Sequence, residues 1–273
     1  MKIARVFPRV TTATPNDDLA FTGTPPLWKV ECDEVHVSCT FTYDKPKAEK
    51  LFREWQRQGY NVKLGGAAYD DKGGDFIAGR YLKQGYTITS RGCNNKCWFC
   101  SVPVREGNIR ELPIVAGHDI LDSNLLQCSE KHIRDVFSML QTQKERVRFT
   151  GGLEVKILQA WHVDLLLTLK PKPLIFFAYD TPDDYEYLVN ASTMMGGFNF
   201  RDVCVYCLIG YKNDTFDKAE KRLIQILDLG FTPFAMLYRD ELGLVNADWK
   251  KFQRLWARPS IVRARLKQRE AME

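Results

Sequence analysis

Apolar and polar residues alternate with two different periods along this chain. Met1-Lys2-Ile3-Ala4-Arg5-Val6-Phe7-Pro8 and Val35-His36-Val37-Ser38-Cys39-Thr40-Phe41 carry the two-residue period of strands. Lys47 to Gln58 carries the helical period, with Leu51, Phe52 and Trp55 as its apolar positions and Gly59 at its end. Asn61-Val62-Lys63-Leu64 is a short strand that runs into Gly65-Gly66. Strand, helix and strand in that order make a β-α-β unit, the building block of a parallel sheet. Residues 9–28, rich in proline, threonine and aspartate, read as a loop, and Asp70-Asp71-Lys72-Gly73-Gly74-Asp75 reads as a polar turn at a boundary.

Beyond that turn the pattern repeats on a larger scale. Tyr86-Thr87-Ile88-Thr89, Val147-Arg148-Phe149-Thr150, Leu174 to Tyr179, Val203 to Ile209 and Phe234 to Leu237 read as strands. Helices are predicted from Lys131 to Leu140 and from Phe216 to Leu229. Continuous apolar strands separated by helices predict a parallel sheet buried on both faces. Polar residues or glycines recur at the strand ends: Arg91-Gly92, Asp122, Gly151-Gly152, Asp180, Gly210 and Arg239. Parallel α/β folds place ligands at the carboxyl ends of their strands, so these positions are candidates for one site. The expected organisation is a small α/β segment over 1–80, an α/β core over 81–245 and a basic helix or tail over 246–273.

Composition narrows the class. With 273 residues, 45% hydrophobic and 27% charged, the chain has the material of one large globular α/β domain with a small appendage. It has no apolar run of bilayer length, and no apolar region of a secretory leader follows its first residues, so no membrane partner and a reducing cytoplasm are expected. The net charge of +5 is uneven. Lys250, Lys251, Arg254, Arg258, Arg263, Arg265, Lys267 and Arg269 crowd the end of the chain, interleaved with Trp249, Phe252 and Trp256. Such a stretch permits a nucleic-acid partner; a solvated, amphipathic helix end fits the same pattern.

The chemistry lies in three cysteines. Cys93, Cys97 and Cys100 form a C-x3-C-x2-C loop directly after a predicted strand. A disulfide framework belongs to small secreted domains, which this chain is not. A structural zinc site takes four ligands, and Asn94 and Asn95 are poor candidates for the fourth. Thiolates are the usual ligands of iron–sulfur clusters, and three of them leave one corner of a four-iron cluster open to a small molecule. The remaining cysteines do not add a site. Cys204 and Cys207 lie three apart in a strand and so face opposite ways, and Cys32, Cys39 and Cys128 are scattered.

With the aromatic Phe99 before its last cysteine, this loop resembles that of the radical S-adenosylmethionine (radical SAM) superfamily, over about residues 81–240. The run Thr89-Ser90-Arg91-Gly92-Cys93 and the Ser101-Val102-Pro103 that follows are most similar to the cobalamin-domain and methylthiotransferase groups. The resemblance implies a partial (β/α)6 TIM-type barrel. It also implies a [4Fe-4S] cluster on Cys93, Cys97 and Cys100, whose open iron is chelated by S-adenosyl-L-methionine. One electron from a reductase or a flavodoxin- or ferredoxin-type donor then cleaves the sulfonium, and the 5′-deoxyadenosyl radical takes a hydrogen from substrate.

By the same resemblance Phe99, Gly151, Gly152, Glu154, Asp180, Ile209 and Gly210 bind S-adenosyl-L-methionine or substrate. Thr150-Gly151-Gly152-Leu153-Glu154 departs from the family's glycine-glycine-glutamate by one inserted leucine. Asp122-Ser123-Asn124 is similar to an Asp-Asp-Asn stretch of cobalamin-type relatives. Read from residues alone, an ordinary turn is the alternative for Gly151-Gly152, while Asp180 is equally a cap and Asp214-Thr215 equally a helix N-cap. No Asp-x-His-x-x-Gly signature accompanies the N-terminal unit, so cobalamin is not expected, and the absence of a second cysteine trio argues against a methylthiotransferase. A non-catalytic iron–sulfur protein that carries electrons or senses redox state is the competing class.

Overall fold

The computed structural model describes residues 1–240, 242–257, 262 and 264. Arg258, Arg263, Arg265, Lys267 and Arg269 of the basic tail lie outside the described residues. The chain divides into two compact units, Met1–Cys128 and Ser129–Glu273.

The first unit opens with β1 (Ile3–Phe7), β2 (Ala20–Thr22), β3 (Glu34–Ser38), α1 (Lys45–Arg57) and β4 (Val62–Gly65). These four strands are all parallel, in the order β2-β1-β3-β4. β1 is buried along its whole length, as a central strand covered on both faces must be. α1 buries Ala48, Leu51 and Trp55, which share one helical face. Trp55 is fully enclosed, with the rings of Phe21 at 5.2 Å and Tyr60 at 5.3 Å. The expected loop over 9–28 therefore contains a strand, β2. Three residues are too few to show a period, and β2 is held by its pairing with β1.

The rest of this unit is built of short pieces. β5 (Tyr86–Thr87) pairs in parallel with β8 (Asp119–Ile120). Between them, β6 (Ser90–Arg91), α2 (Val102–Glu106) and β7 (Arg110–Glu111) flank the cysteine loop, and β6 pairs antiparallel with β7.

The second unit alternates helix and strand: α3 (Glu130–Gln141), β9 (Arg148–Phe149), α4 (Ala160–Thr168), β10 (Leu174–Ala178), α5 (Tyr185–Met194), β11 (Val203–Ile209), α6 (Phe216–Asp228), β12 (Thr232–Leu237) and α7 (Ala247–Trp256). β9 to β12 are parallel and adjacent in chain order. The Ser129 hydroxyl accepts the amide of His132 to cap α3, and Thr215 accepts that of Lys218 to cap α6. One expectation is corrected here. β11 is not buried on both faces: Val203, Val205, Cys207 and Ile209 are buried, whereas Cys204, Tyr206 and Leu208 on the other face are half-buried. Trp249 and Phe252 of α7 pack around Phe216, at 4.4 Å and 5.4 Å, and Trp256 is buried, so the aromatics of this stretch serve the fold. No described helix is long and apolar enough to cross a membrane.

Candidate metal centre

The cysteine loop begins at a residue that must be glycine. Gly92 has a φ of +85°, and a Cβ there would stand 2.2 Å from the Asn108 carbonyl oxygen. The backbone turns tightly at this point. The Gly92 amide donates to Glu106 Oε2 at 2.9 Å, and the Cys93 amide donates to the Gly107 carbonyl at 3.1 Å. Glu106 thus joins the first residue of the loop to the helix that follows it. It also accepts Ser123 Oγ at 2.9 Å and Arg105 Nη2 at 2.8 Å, and it lies 3.7 Å from Arg91 Nη1. Burial alone would raise the proton affinity of this carboxyl, but the bonds from Arg105, Gly92 and Ser123 outweigh it and hold the group below the usual range.

A second buried carboxylate lies one step earlier. Asp122 Oδ1 accepts the Thr89 amide at 2.6 Å, and its Oδ2 accepts the hydroxyls of Thr89 at 2.6 Å and Ser90 at 2.8 Å. Burial raises its proton affinity, opposed by these bonds. The segment after β8 then continues along the loop residue by residue. Ser123 reaches Glu106, and Asn124 Nδ2 donates to Cys93 Sγ at 3.4 Å. Gln127 Oε1 accepts the Asn94 amide at 2.7 Å, and its Nε2 donates to Asn95 Oδ1 at 3.2 Å. Residues 122–127 therefore hold most of the positions from 89 to 95. The Asn95 amide adds a second donor to Cys93 Sγ at 3.4 Å.

Cys93 is buried, Cys100 half-buried and Cys97 exposed, and the Cys100 amide donates to the Cys97 carbonyl at 3.1 Å. Trp98 is exposed, and half-buried Phe99 meets it edge-on at 4.9 Å. Among the described residues, no three His, Cys, Asp or Glu side chains converge on a single point as one ion requires. A four-iron cluster takes one thiolate per iron, so its ligands stand apart. The donor set fits such a group: three thiols on one loop, two N–H groups aimed at the first sulfur and no disulfide on any of the three.

The other sequence-predicted residues belong to the second unit. Gly152 has a φ of +89°, and its amide donates to the Phe149 carbonyl, so Gly151-Gly152 does make a turn at the end of β9. The inserted Leu153 is buried, and its amide bonds the Phe176 carbonyl, which leaves Glu154 half-buried at the head of the next turn. Asp180 Oδ1 accepts the Leu208 amide at 2.8 Å and so ties the end of β10 to β11. Burial pushes its proton affinity up to about 6, the Leu208 bond opposing. The neighbouring helix cap is not Asp180 but the reciprocal pair Thr181 and Asp184.

Ile209 is wholly buried, and its carbonyl accepts the Tyr238 amide. Gly210 has a φ of +74°, and its amide donates to Asp214 Oδ2 at 2.9 Å. Asp214 is not the cap of α6, a role that Thr215 fills. It pairs with Arg222 at 2.9 Å, and Arg222 in turn donates to the Leu208 carbonyl. The glycine at the end of β11 is thereby fixed by a near-buried ion pair. Cys204 and Cys207 lie on opposite faces of β11, with burial pushing their thiols up to about 11 and about 12, which suits packed thiols rather than ligands.

Sequence reasoning missed Glu106 and Gln127. Neither stands in a motif, and each acts through loop residues distant in the chain. No family model matches the chain, and no curated protein matches it in sequence. Its fold is similar to that of the radical S-adenosylmethionine methyltransferase TsrM from Kitasatospora setae, solved with cobalamin and a [4Fe-4S] cluster bound. The chain shares its fold with a radical SAM enzyme. The TM-score is 0.61 over 86% of this chain and 74% of TsrM, at 11% identity, so the likeness to TsrM is one of architecture.

Proposed function

We propose that this chain is a radical SAM enzyme built on a partial (β/α)6 barrel. In this reading Cys93, Cys97 and Cys100 hold a [4Fe-4S] cluster, while Gly151, Gly152, Glu154, Ile209 and Gly210 bind S-adenosyl-L-methionine. The observation that carries it is the C-x3-C-x2-C loop, fixed by Glu106 and residues 122–127, in a chain with the fold of TsrM. When bound, such a cluster supplies the single electron that cleaves S-adenosyl-L-methionine to a 5′-deoxyadenosyl radical.

The chain's own residues bind and orient. Glu106 closes the base of the loop, Asp122 fixes the strand entering it, and Asn95 and Asn124 direct N–H groups at Cys93 Sγ. Gly152, where a Cβ would meet only the Phe176 carbonyl at 3.8 Å, keeps the end of β9 open to a ligand that approaches closely. Asp180, which the same bond to Leu208 holds in place, is the titratable group at the end of β10 and is proposed to meet ribose or substrate.

Anaerobic reconstitution with iron and sulfide tests the reading. The wild type is expected to take up about four irons per chain and, once reduced, to form 5′-deoxyadenosine from S-adenosyl-L-methionine. Cys97→Ala is expected to abolish the product. Zinc in place of iron overturns the proposal, and a cluster that is indifferent to S-adenosyl-L-methionine supports the electron-carrier class instead.

The likeness to TsrM favours a second reading, methyl transfer through a corrinoid. The structural overlap spans 86% of the chain and so extends into the first unit, whose four parallel strands form a Rossmann-like sheet. Incubation with hydroxocobalamin decides it: a bound, shifted corrinoid spectrum supports methyl transfer, and recovery of unbound cobalamin leaves hydrogen abstraction.

A further inference from the structure

We infer that Asn124 is a positioning residue that sets the reduction potential of the cluster through a hydrogen bond to Cys93 Sγ, an assignment that rests on the cluster proposed above. Three observations carry it. Asn124 is only 5% exposed, so its side-chain amide is shielded from water. Its Nδ2 donates to Cys93 Sγ at 3.4 Å, within the range of N–H···S bonds, and Cys93 is the buried member of the cysteine trio. The backbone on either side is fixed: the Asn124 carbonyl accepts the Gln127 amide at 3.2 Å, and the preceding residue, Ser123, is anchored on Glu106. The amide is therefore delivered to the sulfur by a rigid stretch of chain, not by a chance rotamer.

The physical consequence follows from charge. Adding an electron to an iron–sulfur cluster spreads negative charge onto its sulfur ligands, and an N–H dipole aimed at a sulfur stabilises that charge. Hydrogen bonds to ligand sulfurs thus raise the potential, most strongly where water is excluded. Cys93 receives two such bonds, from Asn95 N and Asn124 Nδ2. The first belongs to the backbone and survives any side-chain change. The second can be removed by substitution, which makes Asn124 the adjustable donor of the pair.

The test uses the full chain, reconstituted anaerobically and titrated electrochemically without S-adenosyl-L-methionine. Asn124→Leu keeps the branched outline and removes the donor, and Asn124→Asp keeps the shape and replaces donor with acceptor. Both variants are expected to hold iron and sulfide at the wild-type ratio with a midpoint potential more negative than wild type, the aspartate variant further shifted. An unchanged potential at full iron content overturns the assignment. Should either variant fail to fold, the wild type decides. Protein labelled with 15N at the asparagine side-chain amide is expected to show 15N hyperfine coupling to the reduced cluster, a label that leaves the Asn95 backbone nitrogen silent. A cluster without that coupling overturns the role of Asn124 alone, whereas a wild type that assembles no cluster overturns the functional reading and this assignment together.

Discussion

Glu106 meets the cysteine loop at its first residue and at the helix after its last, and it does so as a charged group with 4% of its side chain accessible. Replacing it by alanine removes a buried carboxylate from Arg91 and Arg105 and an acceptor from Gly92 and Ser123. Glu106→Ala is expected to destabilise the protein by about 3 kcal/mol in urea unfolding and to lower iron uptake, whereas Glu106→Gln, which keeps an acceptor, retains part of both. Asp180 makes a different forecast. Its native proton affinity of about 6 lies above the ordinary 3.8, so the folded chain holds that proton more tightly than the unfolded chain does. The resulting stabilisation is complete in acid and is lost as pH rises through about 6. Asp180→Asn keeps an acceptor for the Leu208 amide and removes the charge. The variant is expected to match wild type at about pH 3 and to exceed it at neutral pH by up to ~3 kcal/mol, measured by urea unfolding at both values. At this scale the cysteines were legible because their spacing is itself the signal. Glu106 was not, because nothing in Arg-Glu-Gly announces contacts to Gly92 and Ser123.

Elements were legible in proportion to their amphipathicity. α1, α3 and α6 each bury one face and expose the other, and the sequence places them within two residues of their observed ends. α4 and α5 carry apolar residues around much of their circumference, so no helical stripe stands out. β5 and β9 lie inside the strands expected over 86–89 and 147–150, whereas the two-residue strands β6, β7 and β8 fall below the length at which a period can be read. The turn that opens the cysteine loop offers a test at this scale. Gly92→Ala sets a Cβ against backbone, 2.2 Å from the Asn108 carbonyl and at a φ of +85°, where no flexible side chain can yield. It is expected to cost about 2–3 kcal/mol and to halve iron content or worse. Full iron content in a variant of wild-type stability would show that the loop tolerates a wider turn.

Across the whole chain, the candidate residues are shared between the units. Cys93, Cys97 and Cys100 lie in Met1–Cys128, and Gly151, Gly152 and Gly210 lie in Ser129–Glu273. The polar turn over 70–75, which reads as a boundary, lies inside the first unit, where Arg110 Nη2 donates to the carbonyls of Lys72 and Gly73. Punctuation in a sequence marks a turn, and only packing decides whether a domain ends there. The division of residues gives a prediction of its own. Gly210→Val sets a branched side chain at a φ of +74°, against Trp249. It is expected to leave iron content at the wild-type level while abolishing the change that S-adenosyl-L-methionine makes to the electron paramagnetic resonance spectrum of the reduced cluster. Cys100→Ala is expected to lose both. A Gly210→Val protein with an undiminished spectral response would remove the end of β11 from the ligand site.

The two-sided character of β11 has a consequence for how such a protein diversifies. Val203, Val205, Cys207 and Ile209 interlock with the core, and a change at any of them disturbs the whole unit. Cys204 and Leu208, on the opposite face of the same strand, carry no such obligation. Evolutionary drift is expected to run at two speeds along seven consecutive residues, slow at odd positions and at Tyr206, which stacks on Phe176 and donates to the Thr150 carbonyl, and fast at Cys204 and Leu208, so that descendants can acquire new molecular tastes while inheriting an unaltered frame.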